Sequence, residues 1–283
     1  MEKQQKLFGK SLTIEEHKQV QLDILKFVAD FCEKKGLRYF LADGTMLGAV
    51  RHKGFIPWDD DIDIRMPRPD YNKMRQIFNE ECKDSHYHLV DPRDKDAHHY
   101  LIKIVDTRTI KIEPYQDYSA GFLGVDIDIF PIDGSPEDKE DFLKWGREIR
   151  SYNRAYAYKK RAWRRAFLSR CKDYVKGRTH AKFCLFMSPK EIAEKVNTLS
   201  EKYTYGEGTY VSFIGAGDLF RVPYECYKDF VMMKFEDSEF RVPAGYDQAL
   251  TAQYGDYMKL PPLEKQVTHH TNNIFWKDDN GGK

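Results

Sequence analysis

Apolar positions recur along this chain with two different periods. Over residues 13–35, Val20, Ile24, Phe27, Val28 and Phe31 fall on one face of a 3.6-residue helix. Thr13 and Glu16 have the spacing of a capping box, and Gly36 stands where a C-terminal glycine cap belongs. Residues 37–42 then predict a strand that delivers the chain to Asp43-Gly44-Thr45, and 46–50 a short helical turn ended near Gly54 and Pro57. Strict alternation predicts strands over 61–66 and 122–130, the second ended by Pro131 and Gly134. A helix is predicted over 69–82. Residues 101–105 and 109–113 read as a strand pair joined by a turn at 106–108. Further helices are predicted over 189–202 and 246–254, with short strand-like runs between them.

Strands and helices interleave, and the acids concentrate on strands. The fold class is therefore α+β, with an α/β-type mixed sheet carrying a site on its edge. Residues 147–182 break the pattern: thirteen Lys and Arg stand against two acids, Glu148 and Asp173. Tyr152, Tyr156, Trp163, Phe167, Cys171 and Tyr174 recur there at helical spacing. Two readings remain open. The stripe packs on the core of a solvated helix, or a basic aromatic helix lies on an anionic membrane or grips an anionic acceptor.

Composition adds limits. The 283 residues allow one large domain or two modest ones, and 41% apolar residues suffice for a core. The formal net charge of +1 argues neither for nor against nucleic acid, and no nucleic-acid partner is expected. Five scattered cysteines without a CxxC pair indicate neither a zinc site nor a disulfide framework, so free thiols in a reducing cytoplasm are expected. The N-terminus has no apolar h-region, and no apolar run approaches the roughly 18 residues of a membrane span.

The chemistry lies in the acids. Asp61-Ile62-Asp63 and Asp126-Ile127-Asp128 repeat one acid–apolar–acid pattern, and residues two apart on a strand face the same side. If the two strands are neighbours, three or four carboxylates converge. Such a cluster calls for a cation. Oxygen-only donors suit Mg²⁺ or Mn²⁺ held together with the phosphates of a substrate, a site fit for phosphoryl transfer. Gly44-Thr45, after a strand and at a helix start, could hold a phosphate with backbone N–H groups. The simpler alternative is a polar sheet edge with satisfied surface acids.

The stretch GTMLGAVRHKGFIPWDDDIDI resembles the signature of the LicD family, named for phosphorylcholine transferases of bacterial surface glycans and sharing a looser version with fukutin and fukutin-related protein. GVDIDIFPIDG at 124–134 and YDQALTAQYGDYMKLPPLEKQVTHH at 246–270 agree with it, whereas 140–210 carries little likeness. The resemblance implies a polymerase-β-like nucleotidyltransferase core over about 13–135, a basic helical insertion over 137–205 and a substrate-binding part over 206–276, in one catalytic domain.

It also implies roles. Asp61 and Asp63 would bind the metal, with Asp128, three residues before Pro131, preferred to Asp126 as the third acid. Asp128 could also assist removal of the acceptor proton. Gly44 and Thr45 would cradle phosphate. Arg51, His52 and Lys103 would lie near the diphosphate, with a salt bridge to nearby acids as the alternative for Arg51. Trp58 either packs or lines the site. His269, and with it His270, belongs to the matched terminal block. Asp59 and Asp60 have no assigned role. The implied reaction moves a phospho-alcohol from a CDP-linked donor such as CDP-choline to a hydroxyl of a glycan or glycolipid, releasing CMP. A cytoplasmic enzyme, peripheral on the inner membrane face, would suit that acceptor. The alternatives are a nucleotidyltransferase, a DxD glycosyltransferase and a non-catalytic glycan- or nucleotide-binding module.

Overall fold

The computed structural model describes residues 8–95, 97, 99–112, 123–160, 186–213, 219–268 and 273–278. Strand β1 (Phe8–Ser11) leads into helix α1 (Ile14–Lys35). The Thr13 hydroxyl accepts from the Glu16 N–H at 3.2 Å, the Glu16 carboxylate accepts from the Thr13 N–H at 2.9 Å, and Gly36 closes the helix at φ 63°. Next come β2 (Phe40–Leu41), α2 (Asp43–Arg51), β3 (Asp63–Pro67), α3 (Arg68–Glu81), β4 (Tyr87–Val90), β5 (Ile102–Asp106), β6 (Thr109–Ile112) and β7 (Asp126–Gly134). Helices α4 (Lys139–Lys159) and α5 (Pro189–Ser200) follow, then β8 (Tyr210–Ser212) and β9 (Arg221–Pro223). A hairpin of β10 (Phe230–Phe235) and β11 (Ser238–Pro243), helix α6 (Tyr246–Tyr254) and strand β12 (Asn273–Lys277) complete the order.

The central sheet runs β2-β3-β7-β5-β4, with β8 and β9 added beyond the end of β7. β3 and β7 are parallel, whereas β2–β3, β5–β7 and β4–β5 are antiparallel. The expected mixed sheet is thus present. Register partners share a face, so Ile64, Ile102, Ile104, Ile127 and Ile129 form one aliphatic face. Helices α1 and α3 cover it, meeting where Phe31 and Phe78 pack at 4.9 Å. Each such side chain, fully buried, contributes about 1.5–3 kcal/mol. On the other face, Arg65 is fully buried beneath Phe213, with its guanidinium 4.1 Å from that ring. The C-terminal third therefore caps one end of this face, and the acids occupy the other.

Three boundaries depart from the sequence reading. β7 does not end at Pro131 but runs through it to Gly134. The Asp128 N–H points to β3, so that of residue 131 would point to the β5 side. There the β5 ladder has already ended at the Ile102–Ile129 pair, and a missing donor breaks nothing. β5 and β6 do not pair with each other: β6 leaves to join β12 and β1 in a separate three-stranded sheet. Buried Asp106 turns the chain there, accepting from the Arg108 N–H and side chain, while Thr109 Oγ donates to the Asp106 carbonyl. Asp61 and Ile62 lie just before β3 rather than inside it. Of the basic segment, 147–160 is described, 147–159 of it within α4, and residues 161–182 lie outside the described residues, with Trp163, Phe167, Cys171 and Tyr174. Within α4 the packing alternative holds. Tyr156 is fully buried against Ile192, and its hydroxyl donates to the Pro92 carbonyl at 2.6 Å.

Candidate active site

Pairing of β3 with β7 puts Asp63 directly beside Asp128, and pairing of β5 with β7 puts Lys103 on the other side of Asp128. One row across three strands therefore reads Asp63, Asp128, Lys103, all on one face. The backbone of this row is tightly held. The Asp63 N–H donates to Thr45 Oγ at 2.9 Å, its carbonyl accepts from the Ala42 N–H at 3.0 Å, and the Asp128 N–H donates to the Ile62 carbonyl at 2.9 Å. Thr45, buried at 2% exposure, thus spends its hydroxyl on fixing Asp63 against the start of α2.

Asp43 opens α2 in the left-handed region at φ 45°, which Asp tolerates better than most residues. Its Oδ1 accepts from Arg65 Nη2 at 2.7 Å and from Gln253 Nε2 on α6, and its Oδ2 is buried without a hydrogen-bond partner. Asp59 folds back over the same helix start. Its carboxylate occupies the space that a Cβ on residue 44 would need, which is why a glycine stands there.

Asp43, Asp59, Asp61, Asp63 and Asp128 therefore crowd one end of the sheet face. Burial, then repulsion from Asp61, Asp43, Asp128 and Asp59, holds the Asp63 carboxyl well above the usual carboxylate range. Burial and the neighbouring Asp61 push Asp59 up to about 7. Among the described residues, two cations pair with these acids. Arg65 pairs with Asp43, and Lys103 Nζ lies 2.5 Å from Asp128 Oδ1. Lys103 also pairs with Asp126, which Lys111 holds from a further 2.6 Å contact. Asp126 is 5% exposed and belongs to this internal ion network rather than to the open cluster.

Arg51 turns from the acids and donates to the Tyr257 carbonyl at 2.7 Å, and no ion pair joins it to a described carboxylate. His52 packs edge-on to Trp58 at 6.2 Å, and Trp58 in turn packs on the core. Asp60 is buried. His269 and His270 lie outside the described residues. The sequence reading missed Asp43 and Arg65. Asp43 stands just before the quoted motif, but its role depends on a backbone turn and on Arg65, brought to it by strand pairing.

Do these residues suit a hard divalent ion? The donor set is all oxygen, Asp63 and Asp128 are side by side, and among the described residues the group carries more negative charge than its cations neutralise. Among the described residues, no three carboxylate, histidine or cysteine side chains already converge on one point as a ligand set. The Lys103 ammonium occupies the side of Asp128 where a cation is wanted. The chemistry of the donors fits, with Asp61, Asp63 and Asp128 as the residues that would hold the ion.

The profile of the LicD/FKTN/FKRP nucleotidyltransferase domain matches residues 36–165, the span that holds the helix start of α2 and the in-register pair Asp63 and Asp128. The chain is 31% identical over 272 residues to the lipopolysaccharide cholinephosphotransferase LicD of Haemophilus influenzae, covering 94% of this chain and 99% of that protein. The ribitol 5-phosphate transferase FKRP of human and mouse shares 38% identity over 57 residues, 20% of this chain and 12% of its own length. Mannosyltransferase regulator 4 of Saccharomyces cerevisiae is 28% identical over 119 residues, 40% of this chain and 10% of its own. The chain belongs to the LicD family, and it is a transferase enzyme.

Proposed function

We propose that this enzyme transfers a phospho-alcohol, phosphocholine or a close analogue, from a CDP-linked donor to a hydroxyl of a cell-surface glycan, with CMP as the leaving group. The observation that carries the reading is the row Asp63–Asp128–Lys103 beside the start of α2, in a chain that aligns with a cholinephosphotransferase along almost its whole length.

A divalent ion held by Asp61, Asp63 and Asp128 would neutralise charge on the donor diphosphate and on the departing CMP. The protein does the rest. The acceptor hydroxyl oxygen bonds to the phosphorus next to the alcohol, and the bond from that phosphorus to the bridging oxygen breaks. The electron pair leaves with CMP, and a phosphodiester remains on the glycan. In this reading Asp128 takes the hydroxyl proton. Lys103 lies within ion-pair distance of Asp128 and would be a cation for the diphosphate charge. Thr45 and the backbone at the start of α2 hold the Asp63 main chain in place beside Asp128.

The test is a thermal-shift panel of CDP-choline, CDP-ethanolamine, CDP-glycerol, CDP-ribitol and UDP-sugars, each with and without Mg²⁺, followed by product analysis. Stabilisation by one CDP-alcohol that depends on metal, together with CMP release, is expected. Pyrophosphate release would instead establish nucleotidyl transfer, and stabilisation by a UDP-sugar alone would establish glycosyl transfer.

A further inference from the structure

Asp126-Ile127-Asp128 repeats the acid–apolar–acid pattern of the first motif, and only Asp128 takes part in the transfer proposed above. Asp126 stands two residues earlier on β7 and on the same face, because alternate residues of a strand share a side. Its main chain is fixed from α1, where Gln21 Nε2 donates to the Asp126 carbonyl at 3.1 Å. Its carboxylate is buried, whereas the Asp128 side chain is 28% exposed. The cation between the two acids is Lys103, itself buried and the register partner of Asp128 on β5.

Lys103 meets these carboxylates in different ways. Its ammonium donates a hydrogen bond to Asp126 Oδ2. The other oxygen of that carboxylate, Oδ1, accepts from Lys111 Nζ at 2.6 Å. Asp128 Oδ1 lies 2.5 Å from the Lys103 nitrogen, yet among the described residues this buried oxygen has no hydrogen-bond partner. The contact is charge attraction without a directed bond. Buried polar atoms are almost always bonded, so Asp128 Oδ1 is an acceptor left open beside the acid cluster. A hard divalent ion, which binds carboxylate oxygens through their lone pairs, satisfies such an atom.

We infer that Asp126 is a positioning residue for the ion site: it holds the Lys103 ammonium to itself and so leaves the Asp128 Oδ1 lone pairs to a divalent ion. The inference rests on the metal reading proposed above. Without Asp126, Asp128 is the described carboxylate left to Lys103. The ammonium then turns into hydrogen-bond geometry on Oδ1 and competes with the ion for it. Lys111 sets the strength of the hold, because it occupies one Asp126 oxygen and leaves the other to Lys103. The first acid of the second motif thus acts through a lysine, and the second acts on the ion directly.

The experiment is calorimetric titration of Mn²⁺ into the full chain without donor, for wild type, Asp126→Asn, Lys103→Met and the double variant, with thermal melts to check folding. Asp126→Asn is expected to weaken the wild-type Kd about tenfold. In the Lys103→Met background the same change is expected to move Kd by less than about threefold, because the competing ammonium is gone. Equal weakening in both backgrounds would show simple loss of a nearby negative charge and overturn the inference. If Asp126→Asn gives no cooperative melt, Lys111→Met carries the test with the opposite sign. Freed from Lys111, Asp126 holds Lys103 more firmly, and Kd tightens roughly fivefold with Lys103 present and less than about twofold with Met at that position. Equal tightening in both backgrounds overturns the inference in the same way. Saturable Mn²⁺ binding that ignores Asp126→Asn overturns this inference alone and leaves the ion site standing. Absence of Mn²⁺ binding to wild type overturns the ion site, and this inference with it.

Discussion

Asp63 shows what one side chain does when its neighbours share its sign. It is half-buried, fixed by Thr45, and surrounded by Asp43, Asp59, Asp61 and Asp128. Removing its charge relieves repulsion but would remove one of the ligands proposed above. Asp63→Asn is therefore expected to lower turnover by at least a hundredfold, about 2.7 kcal/mol or more in transition-state stabilisation, while metal-free Tm holds or rises. Steady-state assay and thermal melts on the same preparation check both halves, and wild-type turnover would refute the ligand assignment. Asp91 is the opposite case. Burial alone would push its carboxyl up, but hydrogen bonds from Arg93 and Arg75 outweigh burial and hold it below the usual range. Its folded pKa thus lies below its unfolded one. The stability it contributes is complete above roughly pH 4 and is lost as pH falls through the lower folded value. Asp91→Asn is expected to cost about 3 kcal/mol in urea unfolding at pH 7, with the difference from wild type shrinking steadily below pH 4.

At the scale of elements, two glycines explain why the acidic motifs carry them. A Cβ at residue 44 would collide with the Asp59 carboxylate, the flexible end of a side chain, whereas one at residue 124 would collide with the Asp106 backbone carbonyl. The two collisions have different consequences. Gly44→Ala is expected to cut kcat/KM at least tenfold with little loss of stability, and adding Asp59→Ala should restore the space, a coupling that a double-mutant cycle measures. Gly124→Ala meets the Asp106 backbone first, and trimming a side chain does not clear it, so a loss of about 3 kcal/mol or more in chemical unfolding is expected. Legibility follows the same division. The helices over α1, α3, α5 and α6 were readable because period, caps and proline positions are local. So were the two acid pairs and Lys103. The separation of β5 from β6, the run of β7 through Pro131 and the coupling of Asp43 to Arg65 were not. Each depends on which strand lies alongside, and that information is distributed over the whole sheet. Arg51 shows the same limit: it shares a motif with Asp59, Asp60, Asp61 and Asp63, but its partner is a carbonyl contributed by the chain after α6.

Over the whole molecule, the net charge of +1 hides a separation of sign. Acids gather at one end of the central sheet, while 147–182 holds thirteen basic residues against two acids. No helix of the described residues is long and apolar enough to cross a membrane. If the basic segment contacts a membrane, the mode of contact is constrained by where its aromatics go. Tyr152 and Tyr156 are committed to a small core with Ile192, so in α4 they are not available to insert among acyl chains. Attraction to anionic headgroups would then dominate, and such attraction is screened over about 10 Å at 0.1 M salt. Co-sedimentation with vesicles separates the cases. Binding is expected to phosphatidylserine-containing vesicles at low salt, to be absent on neutral phosphatidylcholine, and to vanish near 1 M NaCl. Arg164→Glu with Arg165→Glu should weaken it at least tenfold while leaving the melting temperature unchanged. Binding to neutral vesicles, or binding that survives high salt, would show that apolar insertion rather than charge holds the segment to the surface.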